Sequence, residues 1–280
     1  MATFLVTGAS SGIGEASALR LDRLGHRVYA GVRSSKDGER LQALASPQLR
    51  PVLADVTDPD QIGATMAVID DEVGPAGLDG LVNNAGVAIG GPVEFVPLSE
   101  WRSQFEVNVF GQVTVTQAAL PLLRRARGRV VFVGSISGRV STPLGGPYGA
   151  SKHAIEAIGQ SLREELRPWR IRVSVVAPGV VRTPIWGKGL VAADEAIAAL
   201  PPEGTRLYGA SIDRLRSQVK KIESTAATTP ESVAEAIEHA LVSRRPQHHY
   251  LPGADAKLVA AAVWLLPGRA VARLLRMPAR

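Results

Sequence analysis

The chain has 280 residues, of which 45% are hydrophobic and 21% are charged, as in a soluble globular protein with a sizeable core. It contains no cysteine, which excludes disulfides, thiolate nucleophiles and cysteine-ligated metals. The net charge is +6, and the segment from Arg244 to Arg280, with seven basic residues and one acid, accounts for all of it. A nucleic-acid-binding domain is expected to carry a basic face in its folded body, so this distribution argues against nucleic acid as a partner.

The two ends of the chain bear on its location. Residues Met1 to Val6 lack a basic stretch and lead straight into a glycine-rich turn, so we expect no signal peptide. Near the other end, the apolar run from Leu258 to Leu266 has nine residues, whereas about 20 are needed to span a bilayer. We therefore expect a cytoplasmic protein.

Short apolar, β-branched runs alternate with longer amphipathic stretches along the chain. Strands are predicted at Thr3–Thr7, Arg27–Val32, Arg50–Ala54, Gly80–Val82, Arg129–Val133, Arg172–Val176 and His249–Leu251. Helices are predicted near residues 13–24, 38–46, 59–73, 99–126, 148–167 and 230–242. The strands are almost continuously apolar, as parallel strands covered on both faces should be. The alternation predicts a doubly wound α/β (Rossmann) fold with seven parallel strands.

A single domain is predicted over residues 1–253. Two segments of the chain depart from the alternation of strands and helices. Residues 184–229 are expected to form a long irregular insertion after the sixth strand. Residues 254–280 are expected to form a basic, amphipathic helical tail, which Pro267 and Gly268 would divide into two halves.

A glycine-rich turn, Thr7-Gly8-Ala9-Ser10-Ser11-Gly12-Ile13-Gly14, follows the first strand and opens the first helix. Glycines permit a tight turn and a close approach of phosphate, and the amino terminus of the helix offers free N–H groups to that phosphate. The spacing G-x-x-x-G-x-G differs from the common dinucleotide fingerprint. The alternative is a turn that serves packing alone.

The end of the second strand predicts which cofactor is bound. An acid about 20 residues beyond the glycines normally accepts a hydrogen bond from the ribose 2′-hydroxyl of NAD. Here Arg33 stands at that point, and the next acid is Asp37. A guanidinium suits a 2′-phosphate, so Arg33 favours NADP(H) over NAD(H). The alternative is that Arg33 is a solvated surface arginine.

Three polar side chains form a candidate catalytic group. Tyr148 and Lys152 are four residues apart on one face of a predicted helix, where the lysine cation should lower the tyrosine pKa from about 10. Ser135 lies thirteen residues upstream of Tyr148, at the carboxyl end of a strand, where open α/β sheets bind ligands. Each of these signals is weak alone, since such residues are common in helices and turns. Their order and spacing downstream of the glycine turn are specific.

Together these residues resemble the short-chain dehydrogenase/reductase family. The matching elements are Thr7–Gly14, Asp55-Val56, Asn83-Asn84-Ala85-Gly86, Asn108, Ser135, Tyr148 with Lys152, and Pro178-Gly179-Val180-Val181-Arg182-Thr183. They extend from residue 3 to about residue 184 in the family's order. The stretch from Asp79 to Thr183 also resembles the 17β-hydroxysteroid and retinol dehydrogenase branch.

The resemblance implies a role for each residue of the catalytic group. Tyr148 would donate a proton to a carbonyl or accept one from an alcohol, and Lys152 would lower the tyrosine pKa and bind the nicotinamide ribose. Ser135 would hydrogen-bond the substrate oxygen, with Ser137 as the competing hydroxyl. Asn108 would hold a water in a proton relay, or would instead bridge its helix as a structural residue. No metal is required.

The resemblance also implies the residues that bind NADP(H). The glycine turn would hold the pyrophosphate through Gly8, Ser10, Ser11, Gly12, Ile13 and Gly14. Asp55 and Val56 would contact the adenine, while Asn84, Ala85 and Gly86 would line the cofactor after the fourth strand. Pro178, Gly179, Val181 and Thr183 would bracket the nicotinamide. One departure is Ser11, which stands where NADP-preferring members often carry a second basic residue.

The insertion and the tail leave alternatives open. Trp186, Leu190, Val191, Leu207 and Tyr208 would either cover an apolar substrate or pack against the body. Arg269, Arg273, Arg276 and Arg280 share one helix face, so the tail either lies on an anionic membrane surface or packs on protein with its arginines in solvent.

The leading hypothesis is an NADP(H)-dependent oxidoreductase that interconverts a carbonyl and a secondary alcohol on an apolar steroid-, retinoid-, fatty- or aromatic-like molecule. The alternative is a catalytically silent NADP(H)-sensing regulator on the same fold. A sugar-nucleotide epimerase or dehydratase is disfavoured by the glycine spacing and by the limited room after residue 184. The resemblance further implies a homodimer or homotetramer that pairs helices 99–126 and 148–167.

Overall fold

The computed structural model of the chain describes residues 1–185, 200–225 and 228–274. Seven parallel strands form one sheet, in the order β3-β2-β1-β4-β5-β6-β7. Their bounds are β1 Thr3–Val6, β2 Arg27–Val32, β3 Leu49–Leu53, β4 Gly80–Asn83, β5 Arg129–Val133, β6 Arg172–Val176 and β7 His249–Tyr250. The predicted fold class is confirmed.

Helices cover both faces of this sheet. In chain order they are α1 Gly12–Arg23, α2 Ser35–Gln42, α3 Pro59–Val73, α4 Leu98–Phe105, α5 Gly111–Ala126, α6 Gly146–Glu165, α7 Pro202–Thr225, α8 Pro230–Val242, α9 Ala254–Leu265 and α10 Gly268–Leu274. The helices α3, α5 and α6 pack on one face, and α1, α2 and α8 pack on the other.

Strand β5 shows why the strands are apolar at consecutive positions. Val130 and Phe132 belong to the core beneath α3, α5 and α6, whereas Val131 and Val133 belong to the core beneath α1, α2 and α8. Successive side chains of a strand point to opposite faces, so a sheet covered twice buries them all. The predicted near-continuous apolar pattern follows from this double burial.

The strand order places a crevice between β1 and β4. The chain passes from β1 outward through β2 to β3, and then returns to add β4 on the other side of β1. In open α/β sheets, ligands bind at the carboxyl ends of the strands where the order reverses in this way. The glycine turn follows β1 and Asn84 follows β4, so both lie at this crevice.

The predicted helix over residues 99–126 is interrupted. Between α4 and α5 the residues Glu106 to Phe110 form a π-helical turn, and Asn108 lies at its centre. Single π-helical turns within α-helices frequently occur at functional sites.

The insertion is more regular than predicted, because α7 occupies 24 of its residues. The helix was missed because its sequence is polar and includes Gly204 and Gly209, which weaken the apolar periodicity. Leu207 is exposed, and the Tyr208 hydroxyl donates a hydrogen bond to Glu94 at 2.8 Å. Trp186, Leu190 and Val191 lie outside the described residues.

The tail begins as two helices, α9 and α10, which are separated at Leu266 and Pro267, whereas the break was predicted at Pro267 and Gly268. Arg276 and Arg280 lie outside the described residues. Within the described parts of the chain, no helix combines the length and the apolar character needed to cross a membrane.

Candidate active site

The turn after β1 leaves hydrogen-bond donors free at the start of α1. Gly8 and Gly12 adopt left-handed φ angles of 64° and 59°, which glycine reaches without steric cost. Ser11 is the N-cap residue, but its side chain makes no capping hydrogen bond. The first N–H groups of α1 are therefore available to an anionic ligand.

A set of hydrogen bonds joins this turn to the end of β4. The Thr7 hydroxyl accepts from the backbone N–H groups of Asn84 at 3.0 Å and Ala85 at 3.1 Å. In return, the Asn84 side-chain amide donates to the carbonyls of Thr7 at 2.9 Å and Gly8 at 3.0 Å. The crevice between β1 and β4 thus has a fixed backbone wall.

Gly14 lies behind this wall. A Cβ at this position would collide with the Gly8 carbonyl and with the Asn84 side chain. Gly14 therefore allows α1 to pack closely on the turn, and it does not line the cleft.

One cleft gathers most of the predicted site residues. Those that line it are Gly8, Ser10, Ser11, Gly12, Ile13, Arg33, Asp55, Val56, Asn84, Ala85, Gly86, Ser135, Tyr148, Lys152, Pro178, Gly179, Val181 and Thr183. The lining residues that the sequence reasoning missed are Gly31, Val32, Ala54, Thr57, Val107, Val133, Gly134, Pro184 and Ile185. Several of these adjoin predicted residues at strand ends, so extending each motif by one position would have found them.

The far end of the cleft carries the charged groups beyond β2 and β3. Arg33 is exposed and lines the cleft opposite Asp55. Burial opposes ionisation of Asp55, but hydrogen bonds from the Thr57 N–H and hydroxyl, with the charge of Arg33, lower its pKa overall. Arg40 was not anticipated: it pairs with Glu15 and donates to the Ser10 carbonyl at 2.7 Å, which braces the glycine turn.

The catalytic group meets at the other end of the cleft. Ser135 follows β5 and caps a short 3₁₀-helix, Ile136–Gly138, with its hydroxyl accepting from the Ser137 N–H at 3.1 Å. Tyr148 and Lys152 lie one turn apart on α6, and a side-chain hydrogen bond links Tyr148 to Ser135. Since Ser137 does not line the cleft, Ser135 is the hydroxyl that faces Tyr148.

Lys152 is almost fully enclosed. Its ammonium donates to the Val133 carbonyl at 2.8 Å and lies 5.7 Å from the centre of the Tyr148 ring. Burial disfavours its charged form and lowers the pKa of Lys152 to about 8.

The pKa of Tyr148 moves opposite to the sequence-based expectation. Close packing around the phenol disfavours the phenolate and raises its pKa, and the hydrogen bond with Ser135 offsets only part of that rise. Lys152 does not reverse the effect, because its ammonium is directed to Val133 and itself titrates near pH 8. Tyr148 is therefore protonated at neutral pH in the cofactor-free cleft.

Asn108 is fully buried and fixes the backbone beyond β4. Its side chain accepts from the Val87 N–H at 2.8 Å and donates to the Val87 carbonyl at 3.0 Å. It also donates to the Ser151 hydroxyl on α6 at 3.2 Å. Asn108 therefore bridges the π-helical turn, the cleft wall and the helix of Tyr148, and it does not line the cleft.

The residues present fit a nicotinamide dinucleotide. The uncapped α1 terminus suits a pyrophosphate, and a Cβ at Gly8 would fill the space against Ala85 that the turn leaves open. Within the described residues, no group of three or more His, Asp or Glu is placed to hold a metal ion.

Comparison with known proteins places this site in a family. Residues 2–190 match the model for short chain dehydrogenases. Retinol dehydrogenase 5 of Mus musculus is 39% identical over 279 residues, covering 98% of this chain and 87% of that protein. The NADPH-dependent 3-dehydrocapnine reductase of Ornithobacterium rhinotracheale is 35% identical, over 95% of this chain and 93% of its own. A solved short chain dehydrogenase from Burkholderia cenocepacia in complex with NADP superposes with a TM-score of 0.76, at 27% identity, over 99% of this chain and 98% of that one.

The fold and the cleft are those of a dinucleotide-binding oxidoreductase. The chain belongs to the short-chain dehydrogenase/reductase family, whose members act on alcohol and carbonyl groups, and it lies on the retinol dehydrogenase-like branch. The sequence-based assignment is confirmed at this level. The predicted oligomer of paired helices stays a prediction.

The lowered pKa of Lys152 predicts a specific pH dependence of stability. Between pH 8 and 10.5 the unfolded chain keeps a proton on Lys152 that the folded chain has released, so the free energy of unfolding rises with pH. The slope approaches about 1.4 kcal/mol per pH unit. Urea unfolding of wild type and Lys152→Met between pH 8 and about 9 measures this slope as a difference between the two proteins, below the pH at which the tyrosine hydroxyl ionises in the unfolded chain. Equal slopes for the two proteins would contradict the prediction.

Proposed function

We propose that this protein catalyses hydride transfer between NADP(H) and a carbonyl or secondary alcohol on an apolar molecule. The observation that carries the proposal is that Ser135, Tyr148 and Lys152 share one cleft with the uncapped terminus of α1. A nicotinamide cofactor, when bound there, supplies the hydride for carbonyl reduction or accepts it in alcohol oxidation.

Each residue of the group would have a defined role. Tyr148, protonated at neutral pH, would donate its phenolic proton to the carbonyl oxygen as the carbon is reduced. Ser135, which lines the cleft beside that phenol, would donate to the same oxygen and stabilise its developing negative charge. Lys152 would hold the ribose and restore the proton of Tyr148, for which a pKa of about 8 is well placed.

The apolar substrate class rests on the cleft wall and on the relatives. Val87, Val107 and Ile185 line the cleft alongside the polar groups. Apolar lining with a few convergent polar groups is typical of small-molecule sites. One relative at 39% identity is described as a retinol dehydrogenase, which supports a substrate of similar character.

Replacing Tyr148 by Phe should abolish turnover, by about 10³-fold or more, because the proton donor is lost. NADPH binding should persist, because the ring and the cleft wall remain. NADPH oxidation with a panel of ketones, alongside fluorescence titration of NADPH, measures the two effects separately. As a control, Tyr29→Phe removes a tyrosine hydroxyl that lies outside the cleft and should keep activity. A wild type that binds NADPH but turns over none of the panel would instead favour the sensing regulator.

The preference for NADP(H) rests on Arg33. Its guanidinium lines the far end of the cleft, where a 2′-phosphate would lie, and the reductase relative at 35% identity is described as NADPH-dependent. We expect Arg33→Ala to lower kcat/KM for NADPH by about tenfold or more. The kcat/KM for NADH should change little. Lys36→Ala, which removes a nearby exposed cation outside the cleft, should leave both values unchanged. A wild type that prefers NADH would refute this assignment.

We further propose that α9 contacts an anionic membrane surface. Its outer face exposes Leu258 (71%), Trp264 (85%) and Leu265 (66%), whereas Ala256 and Ala260 are buried against the body. Lys257 and the α10 residue Arg269 add positive charge beside this apolar face. Exposed tryptophan and leucine with flanking cations are typical of interfacial helices.

Substituting both Trp264 and Leu265 by Ser should weaken binding to phosphatidylglycerol vesicles by about tenfold or more, because the apolar anchors are lost. Vesicle sedimentation measures it, with neutral phosphatidylcholine vesicles and high salt as further comparisons. Leu44→Ser, a similarly exposed leucine on the body, serves as the matched control. If intact protein remains in solution with anionic vesicles, the membrane proposal fails.

A further inference from the structure

Hydrogen bonds to the C-terminal part of the chain hold the segment after β6 in place. Gly179 donates its N–H to the Pro252 carbonyl at 3.1 Å, which extends the β6–β7 pairing by one step. Further along, Arg182 donates its N–H to the Thr228 carbonyl at 3.1 Å. The segment from Pro178 to Thr183 forms one wall of the cleft, so its position depends on residues that follow it by 46 to 75 positions.

The strongest of these connections is made by a side chain. The Asp255 carboxylate accepts a hydrogen bond from the Val180 N–H at 2.7 Å. Hydrogen bonds to a charged acceptor are shorter and stronger than neutral ones. The donor, Val180, stands between Gly179 and Val181, two residues that line the cleft. The carboxylate therefore fixes the backbone at that point of the wall.

Two glycines make room for this carboxylate. A Cβ at Gly179 would collide with the carboxylate, and a Cβ at Gly253 would collide with it from the other side. Gly253 also has a φ of 100°, which side chains rarely adopt, and α9 begins at the next residue. The local chain is thus built around Asp255, in the first turn of α9.

The same helix reaches the catalytic end of the cleft. Helix α9 contacts the short helix Ile136–Gly138, whose cap residue is Ser135. Ile136 in turn donates its N–H to the Pro178 carbonyl at 2.9 Å. Helix α9 therefore packs against the turn that carries Ser135, and through Asp255 it holds the neighbouring wall.

We infer that Asp255 is a positioning residue for the nicotinamide half of the cofactor site, and that α9 belongs to the active centre. The inference rests on the proposed function, in which residues 178–183 bracket the nicotinamide ring. Without the carboxylate, the Val180 N–H loses its acceptor, and the wall between Gly179 and Val181 is no longer held in one position. The adenosine half, which lies against Arg33 and Asp55, does not depend on this contact.

The experiment compares Asp255→Ala, Asp255→Asn and Lys257→Ala, the last being an exposed control on the same helix. For each protein, fluorescence or calorimetry gives the affinity for NADPH and for 2′-phospho-ADP-ribose, which lacks the nicotinamide ring. We expect Asp255→Ala to weaken NADPH binding about tenfold and to lower kcat, while 2′-phospho-ADP-ribose binding stays within about twofold of wild type. Asp255→Asn keeps an acceptor oxygen and should recover most of the loss, and Lys257→Ala should match wild type.

Other outcomes have defined meanings. Equal losses for both ligands in Asp255→Ala would mean general destabilisation and would overturn the inference, as would an Asp255→Ala variant identical to wild type. If Asp255→Ala does not fold, Asp255→Glu replaces it, since the longer side chain does not fit between Gly179 and Gly253, keeps the charge outside the cleft and should give the same selective loss. A wild type without NADPH binding or turnover would instead refute the proposed function itself.

Discussion

The active-site architecture depends on the exchange of hydrogen bonds between Thr7 and Asn84. One hydroxyl and one carboxamide join the ends of β1 and β4, which are adjacent in the sheet but 77 residues apart in the chain. This exchange fixes the glycine turn relative to the wall at Ala85 and Gly86. Because the backbone groups at these strand ends are satisfied internally, the cleft keeps its shape without a ligand. The N–H groups of α1 can then remain free for an anion.

The catalytic end is organised by burial. Lys152 donates to the backbone of β5, and Asn108 joins the π-helical turn to the wall at Val87 and to α6. These contacts hold Tyr148 and Ser135 together while disfavouring charge on both the phenol and the ammonium. A tyrosine that stays protonated suits proton donation, and a lysine near its titration point suits proton resupply.

Much of the fold and of the candidate site could be predicted from the sequence, because these features depend on the spacing of residues along the chain. The parallel sheet follows from apolar runs buried on both faces, and the glycine turn and the Tyr148–Lys152 pair follow from their intervals along the chain. Contacts across the fold could not be read in this way. The role of Gly14 against Asn84, the bridge made by Asn108 and the direction of the Tyr148 pKa all depend on packing between distant segments. The polar helix α7 was missed because few apolar residues mark its period.

The distribution of charge in the folded protein also could not be predicted fully from the sequence. The sequence assigns the net positive charge to the last 37 residues, yet folding also brings four arginines of the neutral body together with two of that segment, in a groove at the amino-terminal edge of the sheet. The groove contains one acid, Glu164, and is lined by Arg163, Arg167, Arg170, Arg172, Arg244 and Arg245. A count along the chain does not reveal such a convergence, because it depends on how α6, β6 and the segment before β7 meet.

The contact between Asp255 and Val180 also affects how the end of the chain can be altered. Residues 254–280 read as an appendage in sequence, since the family's motifs end near residue 184. In the structure, the first turn of α9 is joined to the cleft wall by the hydrogen bond between Val180 and Asp255. A shortened protein ending at residue 253 would lose the carboxylate that holds the wall at Val180, together with the apolar outer face of α9. Moving residues 254–280 to another protein would likewise remove the bond between Asp255 and Val180 from this protein. The recipient would gain no equivalent bond.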